Sequence, residues 1–205
     1  MPATLEIYLA RHGESTNNPL PEARHTPDPE LTPLGGRQAQ VLAERLAALR
    51  PALVLSSPLV RALATAAPLV AESGAAWQVW EELAEAHRAH PQDGGEVAGL
   101  RTRFPRAAFT DTAHWPGFPG AETVADALAR GRRLAARLGN LSGGPVAIIG
   151  HQNLNSYLLR AWLGLEGHDR VRFRQDNAAV HHLRLSADAL ELVRLNDGAH
   201  LHRLP

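Results

Sequence analysis

Short apolar runs alternate with longer amphipathic stretches along this chain. "LEIYLA" (5–10) reads as a short buried strand ending at Arg11. Polar, proline-rich sequence follows to residue 31, and Thr32-Pro33 then forms an N-cap followed by proline at the first helical position. Leu34, Val41, Leu42, Leu46 and Leu49 fall near one face of that helix, which Pro51 stops. "ALVLSS" (52–57) is a second strand, and Ser57-Pro58 repeats the cap-plus-proline signal for a helix running to Ser73-Gly74. "WQVWEEL" (77–83) fits a third short strand. Thr123 to Leu141 is a strongly patterned helix, "SGGP" turns the chain into the strand "VAIIG" (146–150), and a helix follows over 154–163. "AVHHLRL" (179–185) and "ALELVRL" (189–195) alternate like two strands of a hairpin at a sheet edge.

This alternation predicts an α/β protein: a three-layer α/β/α sandwich with a mostly parallel sheet and one antiparallel edge strand. The expected organisation is one domain over 1–205, with a cap or insertion at about 84–121. That stretch holds histidines, prolines, glycines and isolated aromatics, with a short helix expected around 96–104. In such sheets ligands bind beyond the carboxyl ends of the strands. The rule selects three places: Arg11-His12-Gly13, Ser56-Ser57 and Gly150-His151.

Composition narrows the chemistry. With 205 residues and 44% apolar content the chain can bury a substantial core. Its 21 basic and 21 acidic residues balance to zero, which argues against a nucleic-acid or acidic-membrane binder. All the basic residues are arginine, so Schiff-base chemistry and a lysine base are excluded, and an anion site must use Arg, His or backbone N–H groups. With no cysteine, thiolate metal sites and thiol nucleophiles are excluded too. The first apolar run, "IYLA", is too short for a signal peptide or a membrane span, and the expected location is cytoplasmic.

At the end of the first strand, His12 can act as a nucleophile toward phosphorus if one ring nitrogen is held by a hydrogen bond, and Gly13 lets the backbone turn sharply. Arg61 follows the Ser57 cap by four residues, at the first turn of a helix, where N–H groups and the helix dipole favour an anion. His151 ends another strand. Two arginines and two imidazoles can surround a phosphoryl group without a metal.

These pieces resemble the histidine phosphatase superfamily, also called the phosphoglycerate mutase-like family. The resemblance is carried by "RHGES" with Asn18 beyond it, "LTPLG" (31–35), "SSPLVRA", "LAE" (83–85), "GAET" (120–123) and "IIGH", in the family's order over about residues 5–185. It implies that His12 accepts the phosphoryl group as a phosphohistidine. Arg11, Arg61 and His151 would hold its oxygens, Asn18 would add a polar contact, and Glu85 would protonate the leaving oxygen and then activate water. That last role asks for a carboxyl beside the pocket that can give up and take back a proton. Glu81 and Glu82 lie close enough in sequence to exchange with Glu85; Glu122 reads as structural, capping the helix from Thr123. Gln152 stands where the family usually has a small residue, and it and Asn153 are candidates to contact substrate.

The resemblance thus implies a metal- and cofactor-independent phosphomonoester hydrolase of a small phosphorylated metabolite, with no nucleic-acid or membrane partner; the oligomeric state stays open. Three other readings stand beside it. His87/His90, His181/His182 and His200/His202 form close pairs, without a second pair at zinc spacing. A phosphoglycerate mutase would shield its phosphohistidine from water and bind a carboxylate, but 84–121 carries Arg88, Arg101, Arg103 and Arg106 with no paired arginines. A catalytically silent phosphate-binding module is the third. His87, His90, Trp115 and Phe118 are expected to line the substrate side of the cleft.

Overall fold

A computed structural model of the chain describes residues 4–86, 97–110, 122–165, 167 and 170–204, with the backbone alone at 92–93 and 117–118. His87, Arg88, His90, Trp115 and the side chain of Phe118 lie outside what is described. In chain order the elements are β1 (Leu5–Arg11), α1 (Pro33–Ala47), β2 (Leu53–Ser56), α2 (Val60–Ser73), β3 (Ala76–Val79), β4 (Gln92–Asp93), α3 (Val97–Arg103), β5 (Ala108–Phe109), β6 (Gly117–Phe118), α4 (Val124–Gly139), β7 (Val146–Gly150), α5 (Gln152–Trp162), β8 (Val180–Leu185) and β9 (Leu190–Asp197). Among the described residues seven strands form one sheet, ordered β5-β3-β2-β7-β1-β8-β9, and β4 pairs with β6 apart from it.

The expected α/β sandwich is what the chain forms. β1, β2, β3, β5 and β7 run parallel, and β8 pairs antiparallel with both β1 and β9, so a hairpin makes that edge. Period-two alternation on the central strands explains the three layers. Ala10 of β1 and Ala147 and Ile149 of β7 face a core shared with Leu42 and Leu46 of α1 and Leu63 and Leu69 of α2. Their neighbours Ile7, Leu9, Val146 and Ile148 face the opposite core, with Leu134 and Leu138 of α4 and Leu154 and Leu158 of α5. Both faces of the parallel strands are therefore dry, as runs such as "VAIIG" require. The stretch 84–121 also feeds the main body: Leu100 and Phe104 pack into the first core, and β5 extends the sheet beside β3.

The register sets the height of the strand ends. Arg11 lies opposite Gly150, and Ser56 opposite Ile149, so β1, β2 and β7 finish together. Beyond β1 the backbone of Gly13 crosses the start of α1 at very close range. A Cβ at Gly13 would stand 2.5 Å from the Gly35 carbonyl oxygen, and one at Gly35 only 1.9 Å from that of Glu14. "RHG" and "LTPLG" are thus two halves of one backbone crossing, which glycine at both positions permits.

Some boundaries differ from expectation. Thr32 caps α1 through Gly35 N (3.0 Å), as predicted. However, α2 starts at Val60 behind Leu59, which offers no side-chain cap, so Ser57 is not its N-cap. β3 stops at Val79, and the Glu81–Leu83 segment is a 3₁₀ turn rather than strand. α5 begins at Gln152, two residues early, because the N–H groups of its first turn find a partner outside the helix.

Candidate active site

His12 sits just past β1 and is 4% exposed. Its backbone N–H donates to the Gly150 carbonyl (3.0 Å), tying it to the end of β7. Its ring Nδ1 lies 2.6 Å from the Gly13 carbonyl oxygen. A carbonyl only accepts, so Nδ1 carries the proton and Nε2 keeps its lone pair. Burial holds the ring well below the ordinary imidazole value of 6.5, and the charges of Arg61 and Arg11 push the same way. His12 is therefore a neutral imidazole with one nitrogen free to attack. The turn is fixed from a second side: Gly13 N donates to Thr65 Oγ1 (3.0 Å), whose hydroxyl donates to the Arg61 carbonyl (2.7 Å).

His151 packs against it with ring centroids 5.0 Å apart. It is fully buried, and Nε2 lies 2.8 Å from Ser57 Oγ. This is what Ser57 does instead of capping α2, while also accepting from Leu59 N. Burial holds His151 well below 6.5, again with Arg61, His12 and Arg11 contributing. Arg61, in the first turn of α2, is 5% exposed. Its guanidinium pairs with Asp28 at 3.4 Å, and both Asp28 oxygens accept the Val60 N–H, at 3.1 and 3.0 Å. Asp28 is the cap of α2, supplied by a distant loop. Its spacing from Val60 gives no sequence signal.

Arg11 ends β1 with its NH1 donating to Gln152 Oε1 and to the Gln175 carbonyl, both at 2.9 Å. Its Nε is buried without a partner among the described residues, as is Nδ1 of His151. Buried Gln175 also donates to the Leu9 and Ala179 carbonyls and accepts from Asn155, stiffening the end of β1.

Glu85 is the buried carboxylate of its neighbourhood, at 9% exposure. Oε1 accepts from Ala86 N (2.8 Å) and Leu154 N (3.1 Å), and Oε2 from Asn153 N (3.4 Å). It reaches over the start of α5, beside His151. Glu82 instead pairs with Arg137 and Arg133 on α4. Glu122 does not cap α4. Thr123 and Asp126 form a capping box there, and Glu122 forms a two-pronged ion pair with Arg130. Asn18 holds the loop after His12 through Ser15 N (2.7 Å), and Asn177 links its Oδ1 to the His12 carbonyl.

All eight sequence-predicted residues therefore belong to one linked region at the strand ends. Asn153 enters through its backbone rather than its side chain. A cleft of about 580 Å3 opens beside this cluster. Gln152, Asn153 and Ala86 form its inner edge, with Tyr157 and Phe173 among its apolar walls and Arg172 and His25 among its basic ones. Asp28, Thr65, Gln175, Asn177 and Arg130 were not found from the sequence. Each makes at least one of its contacts here 32 or more positions away in the chain, and none carries a local motif.

Three histidines of the other pairs have structural partners. His181 Nδ1 accepts from Asn196 N, His182 bonds Glu6, and His200 bridges the Ala178 carbonyl and Arg45. Among the described residues no group of three or more His, Asp or Glu is arranged to hold a metal ion, and no helix is long and apolar enough to cross a membrane.

A histidine with one ring nitrogen unprotonated, a second histidine and two arginines thus gather beyond the ends of parallel strands. The chain belongs to the histidine phosphatase superfamily (branch 1), whose family model matches residues 7–198. It is similar to glucosyl-3-phosphoglycerate phosphatase of Mycobacterium tuberculosis, 32% identical over 174 residues that cover 78% of this chain and 75% of that protein. The structure of the mycobacterial glucosyl-3-phosphoglycerate phosphatase in complex with VO3 matches 94% of this chain and 99% of its own, with a TM-score of 0.68 and 27% identity. A phosphoserine phosphatase mutant from Entamoeba histolytica, solved with phosphoserine, shares the fold at a TM-score of 0.70 and 20% identity, covering 96% and 99% of the two chains.

Proposed function

We propose that this protein hydrolyses phosphomonoesters of small metabolites through a phosphohistidine on His12. The observation that carries this reading is the hydrogen bond from His12 Nδ1 to the Gly13 carbonyl, which leaves Nε2 unprotonated on a ring that feels the charges of Arg61 and Arg11 and packs against His151. In the first step the Nε2 lone pair forms a bond to phosphorus as the ester P–O bond breaks, and the leaving oxygen takes a proton from Glu85. Arg11, Arg61 and His151 bear the charge on the equatorial oxygens. In the second step a water oxygen bonds to phosphorus, the N–P bond breaks, and Glu85 takes the water's proton. The unpaired buried Arg11 Nε supports an oxyanion partner, since buried donors without acceptors are costly.

Asn18, Gln152 and Asn153 complete the substrate contacts in this reading, with the leaving group in the adjoining cleft. Gln152 joins the two regions, because it touches Arg11 and lines the cleft. The reading treats 1–205 as one domain with a cap or insertion at about 84–121, and assigns it to the cytoplasm. The names of the relatives favour substrates bearing a carboxylate, such as a glycerate or serine phosphate.

The test is acid-quenched trapping of labelled phosphoenzyme from a monoester panel, with release of inorganic phosphate. His12→Ala should lower turnover by at least about 10³-fold while the unfolding midpoint stays near that of the parent. Interconversion of phosphoglycerates with little phosphate release would point to the mutase instead, and phosphate binding with no trapped intermediate to a silent module.

A further inference from the structure

Arg130 stands in the middle of α4 and is 3% exposed. A cation this deeply buried is tolerated when its donors are paired. Here the pairing has a direction. Nε and NH2 hold the two Glu122 oxygens at 2.9 and 2.6 Å, and NH1 donates to the carbonyls of Glu82 (2.8 Å) and Ala84 (2.6 Å). Those carbonyls belong to the turn that delivers Glu85. Ala84 itself is fully buried, and Glu85 then reaches the first turn of α5. Glu122 in turn lines the cleft.

α4 has other means of packing. Leu134 and Leu138 fill the core, and the Gly131 backbone approaches Tyr157 so closely that a Cβ would lie 2.9 Å from its carbonyl oxygen. A planar guanidinium with five donors can hold two carbonyls and a carboxylate at once, which an ammonium point charge cannot reproduce.

We propose that Arg130, held by Glu122, is a positioning residue for Glu85, fixing the 82–84 turn so that the Glu85 carboxyl meets the leaving oxygen. It governs proton delivery and not attack by His12. This inference rests on the role of Glu85 proposed above.

Phosphorylation of His12 by two substrates separates these steps. 2,4-Dinitrophenyl phosphate has a leaving group that needs no proton, whereas an alkyl phosphate such as glycerol 3-phosphate needs one. Rapid-quench measurement of phosphohistidine formation in Arg130→Met is expected to show a fall of about 100-fold with the alkyl substrate and of less than about 3-fold with the aryl one. Glu122→Gln, which leaves the guanidinium in place, should show the same split at about a tenth of the size, and serves if Arg130→Met does not fold. Equal losses with both substrates, or no loss with either, would overturn the assignment. Failure of the underlying reading looks different: the unmodified protein itself would form no phosphohistidine from either substrate.

Discussion

Two helices aim their N-termini at the same strand ends, and each is capped by a carboxylate from elsewhere in the chain. At α2 the cap is Asp28, which accepts Val60 N–H with both oxygens and stands 3.4 Å from the Arg61 guanidinium. At α5 it is Glu85, which accepts from Leu154 and Asn153 but has no arginine at ion-pair distance among the described residues. Arg11 and Arg61 feel its charge from further away. Both caps satisfy orphan N–H groups that the chain's own N-cap positions leave open. The difference lies in the company. Asp28 is committed to a buried cation, so moving a proton there would break an ion pair. Glu85 has no such counter-ion, and its neighbour Ala86 lines the cleft. One carboxylate is therefore tied into an ion pair, and the other stands near the cleft without one among the described residues.

The comparison can be broken by loading the space between the two caps with charge. His12 and His151 are held well below 6.5 by burial, and burial pushes His181 down to about 4. A histidine whose folded value is depressed binds its proton more readily in the unfolded chain. Its contribution to stability is thus complete above pH 6.5 and is lost as pH falls below it toward the folded value. His12 and His151 should each cost up to about 1.4 kcal/mol per pH unit in that window. Urea unfolding at pH 7.5 and 5.5 measures this as a lower midpoint at the acid pH, and an unchanged midpoint would contradict the neutral histidine pair.

Removing the cation that distinguishes Asp28 comes next. Arg61→Met should lower kcat/KM by about 10³-fold. It also leaves Asp28 buried without its counter-ion, so the unfolding midpoint should drop as well. Glu85→Gln keeps an acceptor for α5 but cannot carry the proton. With alkyl phosphates kcat should fall about 10²-fold, with little change in stability. If Glu85→Gln instead destabilises the fold and leaves kcat intact, the two caps do the same job.

Asp28→Asn should have the smallest effect. It keeps an acceptor for Val60 N–H and removes a carboxylate charge that burial disfavours, so stability should change by less than about 1 kcal/mol while kcat/KM falls a few-fold. Burial holds the Asp28 carboxyl above its ordinary value of 3.8. In the parent protein, stability is therefore lost as pH rises from 3.8 through the folded value, and this dependence should vanish in the variant.

The strands and helices were legible because their periodicities are strong. "VAIIG" follows a Gly-Gly-Pro turn, ends on glycine and is β7 residue for residue, and Thr32-Pro33 starts α1 as a cap and a proline should. "WQVWEEL" misled because large apolar residues, Trp80 and Leu83, follow Val79 although the chain there leaves the sheet for a 3₁₀ turn that Arg130 holds. Ser57-Pro58 misled for a related reason. The local signal for a cap was present, but the hydroxyl was claimed by His151, 94 positions away. Glu122 likewise belongs to Arg130 rather than to the start of its own helix.

By itself the sequence determined the α/β class, the strand ends at which a ligand would meet the chain, and the residue types gathered there. It excluded lysine and thiol chemistry, and its ordered motifs pointed to a phosphoryl-transfer family. Tertiary structure alone decided which ring nitrogen of His12 is free and which acids cap the two helices at the strand ends. The physical reason is range. Periodicity and capping are properties of neighbours in the chain, whereas a proton's position and a carboxylate's partner depend on groups that meet only when the sheet register and the layers have brought distant segments together.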